Sequence, residues 1–359
     1  FKPEMETFMR EWLSLVESKS GERGIFNRQS AIKQAGKSGR RDTEFAFGCN
    51  PCSEIILRPN QFCNLTEVVI RAEDNIDTLQ DKVKVATILG TYQSTLTDFK
   101  YLRKMWKDNT IEERLLGVSL TGIMDNQITN GSAGDIRFIL DTLRETAIET
   151  NKEWADRFGI NQSTAITCVK PSGTVSQLVD SASGIHARHS KYYIRTVRGD
   201  NKDPLTQLMI DEGVPNEPDA MNPDSVTVFS FPTKSPEKAV TRNDTTALDQ
   251  LELWLKYQRH WCEHKPSITI TVRDHEWMEV GAWVYSHFDE VSGISFLPHS
   301  EHTYVQAPYQ EIEEEDYESI KDMPKIVWEN LSNYEKEDQT KSTKELACSS
   351  DACEIVDIS

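Results

Sequence analysis

The chain has no apolar run approaching the roughly 18 residues that span a bilayer, and its opening Phe1-Lys2-Pro3-Glu4 has neither the basic start nor the apolar stretch of a secretory signal. The expectation is an intracellular protein without a membrane span. Basic clusters are equally scarce: 40 Lys and Arg stand against 58 Asp and Glu, a formal net charge of −18. That balance opposes binding to a nucleic-acid polymer, whose phosphates are neutralised by basic patches. A nucleotide as a small ligand stays possible, because a local loop can bind phosphate whatever the global charge. No initiator Met is present and a helical pattern begins at once, which implies a piece of a longer polypeptide. Internal repeats of solenoid period are absent.

Seven cysteines, Cys49, Cys52, Cys63, Cys168, Cys262, Cys348 and Cys353, are an odd number spread through 359 residues. This argues against a secreted disulfide framework and for reduced or catalytic thiols. With an apolar fraction of 37%, a packed core is expected. Met5, Phe8, Met9, Trp12 and Leu13 give an apolar stripe over a helix from Met5 to about Ser18. Leu79, Val83, Ala86 and Leu89 mark a second helix, and Ile136, Leu140, Leu143, Ala147, Trp154 and Phe158 a third, all expected to face the core. Strand-like segments at 192–197, 225–231 and 267–272, with a helix at 248–263, give a mixed α/β pattern. From Glu311 the chain turns acidic, and from Tyr334 to Leu346 almost wholly polar. A flexible redox tail at 334–359 is therefore expected after one body at 1–333.

Chemistry concentrates in Asn50-Pro51-Cys52-Ser53-Glu54, which Pro51 and its short polar neighbours make a loop. In an extended loop side chains alternate, so Asn50, Cys52 and Glu54 point the same way. An amide that orients a hydroxyl, a thiol and a carboxylate that serves as general base then converge. The alternative is an Asn-Pro turn with one buried Cys and a surface Glu. The run Ala165–Val169 followed by Lys170-Pro171-Ser172-Gly173-Thr174 reads as a short strand, a glycine loop and a helix beginning near Thr174. Gly lets the backbone approach an anion and a helix N-terminus supplies unpaired N–H groups, so Ser172, Gly173, Thr174 and Ser176 are candidate phosphate ligands. A plain helix cap by Ser172 or Thr174 is the competing explanation.

Other groupings point less far. His260, Cys262 and His264 lack a further ligand for a metal site. Cys49 and Cys52 form a C-x-x-C pair without a second one, which leaves zinc-knuckle or thiol-disulfide chemistry as a minor reading. His186 and His189 stay unassigned. Cys168 reads as a small buried residue and Tyr192 and Tyr193 as packing.

The run Asn50 to Ile55, with Phe62-Cys63-Asn64-Leu65 after it, resembles the finger loop of ribonucleotide reductases. Further blocks resemble the monomeric, adenosylcobalamin-dependent ribonucleoside-triphosphate reductases. They are Ser18–Arg28, Leu116–Gly122, Lys170–Thr174, Ser183–His186 with Tyr192–Arg195, Ser295–Pro298, Tyr304–Tyr309 and Glu345–Cys348. The resemblance implies α/β architecture, the C-terminal part of a ten-stranded α/β barrel with a central finger loop, followed by a flexible tail. It implies Cys52 as the thiyl-radical residue that removes the ribose 3′-hydrogen, Glu54 as acceptor of the 3′-hydroxyl proton, and Asn50 as the amide holding the substrate hydroxyls. Cys63 is one of two thiols oxidised to a disulfide as the 2′ position is reduced, and Cys348 and Cys353 re-reduce that disulfide. The stretch from Glu335 to Leu346, at about 3.4 Å per extended residue, reaches roughly 40 Å, enough for such a shuttle.

The implied cofactor is adenosylcobalamin, bound without a D-x-H-x-x-G histidine segment. The implied partners are a ribonucleoside triphosphate, a thioredoxin-like dithiol protein and a complementary N-terminal half carrying the thiol that pairs with Cys63. Family members are about twice this long, so the chain alone is expected to be poorly active. A fragment of a diphosphate reductase that uses a separate radical subunit, a non-catalytic fragment and a simple thiol protein are the alternatives.

Overall fold

The computed structural model describes residues 2–21, 23–299 and 305–335, and the backbone of 346–349 and 352–355. Two compact units divide the chain, one of residues 1–188 and 238–299, the other of 189–237 and 300–359.

In the first unit, strand Asn64–Val69 runs parallel to Leu116–Thr121, which runs parallel to Thr167–Cys168. A parallel bridge from Val169 to Pro266 leads on to Thr269–Val272, which pairs in parallel with Gly293–Pro298. Gly24–Phe26 closes that edge antiparallel. Five parallel strands thus share one direction. Leu116–Thr121 is buried at every position, as a parallel strand covered on both faces must be. Its Gly and Ser allow close packing without breaking the strand.

Parallel strands need crossovers, and helices supply them. Ile76–Gln93 and Lys104–Glu113 lie between the first two strands, Arg137–Phe158 between the next two, and Trp277–Ser286 between the last two. Ala247–His260 precedes Thr269–Val272. Helix Ile76–Gln93 starts at a reciprocal cap: Asn75 Oδ1 accepts the N–H groups of Asp77 and Thr78 at 2.9 and 3.0 Å, and Thr78 Oγ1 accepts that of Asn75 at 3.0 Å. Leu79, Val83 and Ala86 face the core with Leu140, Leu143 and Ala147, whereas Leu89 is exposed.

The first helix, Met5–Ser18, buries Phe8, Trp12 and Leu15 and leaves Met5, Met9 and Leu13 exposed. The expected stripe is rotated: the two aromatics at i and i+4 set the buried face, stacked at 5.9 Å, and Trp12 meets Phe296 edge-on at 5.1 Å.

The second unit is a four-stranded antiparallel sheet in which Tyr192–Asp200 lies between Tyr309–Glu311 and Val226–Lys234, with Asn216–Pro218 at the edge. Tyr192 and Tyr193 are buried, as the packing reading expects, and the Tyr192 hydroxyl donates to Glu314 at 2.6 Å. A hairpin of Leu346–Ser349 with Ala352–Ile355 places Cys348 opposite Cys353 in register. The side chains of 346–359 and all of 336–345 lie outside the described residues, so the tail expectation falls there. Among the described residues no helix is long and apolar enough to cross a membrane.

Candidate active site

Gly48–Cys49 pairs antiparallel with Ile56–Leu57, and residues 50–55 form the loop between them. This loop turns rather than extends. Ser53 N–H donates to Asn50 O at 2.9 Å, with Ser53 in the left-handed region at φ 67°. Strict alternation therefore fails. Asn50 Oδ1 folds back to accept the Ile55 N–H at 2.9 Å, Cys52 is exposed at the tip, and Glu54 is fully buried.

Convergence arises instead through Glu54. Its Oε1 lies 3.3 Å from Lys170 Nζ, while Oε2 is buried with no hydrogen-bond partner. Burial raises the Cys52 thiol above its ordinary range, the Glu54 charge raises it further, and Lys170 pulls the other way. Burial likewise pushes the Cys63 thiol well up, partly offset by the nearby Arg41 charge, with Glu54 and Lys170 also in reach. Cys168, wholly buried, is raised by the same cause. Both Cys52 and Cys63 are thus kept as protonated thiols, suited to giving up a hydrogen atom, whereas nucleophilic exchange needs the thiolate.

Several residues that hold this arrangement carry no sequence signal. Lys265 is fully buried; its Nζ donates to Ser53 Oγ at 2.7 Å and its main-chain N–H to Glu54 O at 3.0 Å. Burial lowers its ammonium to about 8. His264, also buried, accepts the Ile56 N–H at Nδ1 (3.3 Å) and donates from Nε2 to Leu116 O (3.0 Å), which sets its tautomer and ties the hairpin to the central strand. Burial holds it far below an ordinary histidine, so it stays neutral. Its place is structural, and His260 pairs instead with Asp141 at 3.0 Å.

Buried Glu113 accepts two bonds from Arg41 at 2.8 and 2.9 Å, a third contact from Arg58 at 3.2 Å, and the Gln61 amide. Satisfying its oxygens in this way offsets the cost of burying the charge. The network fixes residues 58–61 just before Cys63. Only proximity in the fold reveals it, since Arg41 and Glu113 are far apart in sequence.

The Lys170–Ser176 loop starts at the end of Thr167–Cys168. Lys170 N–H donates to Ser119 Oγ at 2.9 Å. Ser172 sits in the left-handed region at φ 58° with its hydroxyl buried beside Glu67, whose carboxyl is raised by burial and pulled back by the Ser172 hydroxyl. Gly173 and Thr174 are exposed. Ser176 is fully buried and its hydroxyl pairs with that of Ser183 at 2.7 Å. The helix that follows, Val175–Leu178, is one turn, and Thr174 makes no side-chain cap bond. The loop thus brings Gly173 and Thr174 to the surface beside Lys170, while the Ser176 hydroxyl is occupied within the fold. Among the described residues no group of three or more His, Cys, Asp and Glu is placed to hold a metal ion.

No family model matches the chain. It is 29% identical over 335 residues to the adenosylcobalamin-dependent ribonucleoside-triphosphate reductase of Euglena gracilis, covering 92% of this chain and 45% of that protein. It is 28% identical over 328 residues to a probable enzyme of the same name from Dictyostelium discoideum, covering 87% and 40%. With the Lactobacillus gasseri enzyme the identity is 27% over 382 residues, covering 94% and 49%. The chain spans about half the length of the curated relatives it matches. Among solved structures, a B12-dependent (class II) ribonucleotide reductase superposes with a TM-score of 0.75 at 23% identity, over 90% of this chain and 50% of that one. The alpha subunit of a class Id ribonucleotide reductase from Actinobacillus ureae gives 0.55 at 15% identity. The chain thus resembles adenosylcobalamin-dependent ribonucleoside-triphosphate reductases over most of its length and shares the fold of a class II ribonucleotide reductase.

Proposed function

We propose that the chain is the C-terminal part of a ribonucleoside-triphosphate reductase, which makes 2′-deoxyribonucleoside triphosphates for DNA precursor synthesis by a thiyl-radical route. The observation that carries the reading is the convergence on buried Glu54 of two protonated thiols, Cys52 and Cys63, and the Lys170 ammonium. The five parallel strands are then half of a ten-stranded barrel, and the 50–55 loop is the finger through its centre. In this reading residues 1–333 serve catalysis and 334–359 carry the redox tail in the cytoplasm.

Each residue has a derivable task. Cys52, exposed on the tip, gives up its hydrogen atom and then takes one from the substrate's 3′ carbon. The unpartnered Glu54 Oε2 accepts the 3′-hydroxyl proton. The Asn50 amide holds the hydroxyls, and Cys63 with a thiol from the complementary half delivers two hydrogen equivalents as water leaves C2′. Ser172, Gly173, Thr174 and Ser176 are the candidates for the phosphates, with exposed Gly173 and Thr174 the accessible pair. Cys348 and Cys353 return the site to the dithiol state by exchange with a thioredoxin-like partner. The exposed Cys52 thiol fits an external one-electron oxidant, and adenosylcobalamin, when bound, supplies that oxidising equivalent. No residue of this chain is assigned to hold the corrin.

The test is conversion of CTP to dCTP with adenosylcobalamin and a dithiol, with and without a complementary N-terminal half. Activity only with both halves supports the reading. A folded, inactive mixture sinks it in favour of a non-catalytic fragment, and activity that ignores cobalamin favours the diphosphate-type alternative.

A further inference from the structure

Lys170 stands where the two loops of the site meet, held there by its backbone. Its N–H is held by Ser119 Oγ at 2.9 Å. Its carbonyl is crowded by Gly184, where a Cβ would lie 2.2 Å from Lys170 O, at a φ of 54° that itself favours glycine. The main chain is thus pinned on both sides, and the side chain's reach to Glu54 follows from that. The partly exposed ammonium occupies one oxygen of a carboxylate that has no solvent of its own, and the other oxygen is left without a partner. A buried carboxylate with one free oxygen is an unusual thing to keep, because leaving it unsatisfied is costly. A bound hydroxyl would satisfy it.

We propose that Lys170 is a positioning residue for the reaction: by clamping Oε1 it fixes the orientation of the Glu54 carboxylate and leaves Oε2 as the free acceptor for the substrate hydroxyl. This rests on the reductase reading above and adds to it a residue outside the thiol, amide and carboxylate set. The clamp also links that chemistry to the phosphate-side loop, since Lys170 is the first residue of 170–176. A triphosphate that orders the loop then orders the base. The charges and thiols that act on this pair are Cys52, Cys63, Glu67, Cys168 and Lys265. Burial alone would lower the Lys170 ammonium, but the charge and hydrogen bond of Glu54 outweigh it and hold it above an ordinary lysine.

The test has two arms. In the first, alkylation of Cys52 by iodoacetamide is followed against pH in the chain as it stands, by peptide mass mapping. Removing the cation in Lys170→Met takes away the charge that opposes Glu54 at the Cys52 thiol, so the thiolate is disfavoured and alkylation at pH 8 slows on the order of threefold. Lys170→Arg restores the wild-type profile, and Glu54→Gln speeds the reaction. Circular dichroism melts establish that each variant is folded. A Lys170→Met profile that matches wild type, or slowing that Lys170→Arg does not rescue, overturns the proposal.

In the second arm the complemented enzyme is assayed with CTP. Lys170→Met is expected to lose on the order of 10²-fold in kcat, the scale of a misplaced catalytic group, with KM changed far less. A loss confined to KM overturns the positioning role. An inactive wild-type assembly with the alkylation results intact overturns the reductase reading and leaves the Lys170–Glu54 clamp standing.

Discussion

Glu54 and Lys265 are both buried while Cys52, in the same loop as Glu54, is exposed, and each depends on its partners for a different reason. The Glu54 charge is balanced by Lys170, and removing one member of such a pair is far more damaging than the pair is stabilising. Cys52→Ala, by contrast, removes an exposed group and should leave the fold intact while abolishing dCTP formation in the complemented enzyme. Residual turnover in that variant would remove Cys52 from the chemistry. Lys265 has a stability signature of its own. Its folded-state value of about 8 lies below the ordinary lysine value of 10.5, so below pH 8 the buried cation is a constant penalty. Between about pH 8 and 10.5 the unfolded chain binds more protons at this lysine, and its contribution to stability rises with pH. The full relief is on the order of 3 kcal/mol at most. The raised thiols oppose this, because they ionise in the unfolded chain first, so the residue is isolated by difference. Chemical denaturation at pH 7.5 and 9.5 should show the wild type gaining stability relative to Lys265→Met as the pH rises, and an equal change in both would contradict the assignment.

At the scale of elements, the reactive loop is held by what passes beneath it. The segment Glu263-His264-Lys265 bonds in turn to Arg40, to the main chain of Ile56 and Leu116, and to Ser53 and Glu54. Strand Gly293–Pro298 begins against the same place: a Cβ on Gly293 would lie 2.3 Å from Ser53 Oγ and 2.9 Å from Lys265 Nζ. Gly293→Ala must therefore push the Ser53–Lys265 bond apart. The expected cost is about 1–3 kcal/mol, as for other overpacked sites, read as a lower thermal midpoint. Faster alkylation of Cys52 should accompany it as the loop loosens. A variant with wild-type midpoint and reactivity would mean that the loop does not rest on this contact.

For the whole molecule, the first unit holds the loop, both protonated thiols and the Lys170 loop, and the chain spans about half the length of its relatives. Turnover is therefore expected to need a complementary half. On the proposed reading the tail cysteines serve the recycling step alone. In the assembled enzyme Cys348→Ser and Cys353→Ser should each allow a single turnover with a thioredoxin-like protein as reductant, and continuous turnover with a small dithiol. Continuous turnover of both variants with the protein reductant would remove the tail from the cycle.

What the amino-acid sequence determined by itself was local or strongly patterned. The helices at Met5–Ser18, Ile76–Gln93 and Arg137–Phe158 follow from apolar periodicity, and the 50–55 loop from Pro51 and its short polar neighbours. That a thiol and a carboxylate lie close together at Cys52 and Glu54 was legible because only Ser53 separates them, but not that one is exposed and the other buried. Tertiary structure alone decided which face of the first helix is buried, because Met and Leu at its rim are as apolar as Phe8 and Trp12. It alone decided that the loop turns at Ser53, since Lys265, more than two hundred residues on, holds that left-handed serine. The strand at Leu116–Thr121 was obscured by Gly and Ser, which suit a doubly covered parallel strand but not a propensity scale. The same holds for the Lys170 clamp and the Arg41–Glu113 network: charge pairing acts over a few ångströms of space, and no periodicity records which distant residues the fold will bring that close.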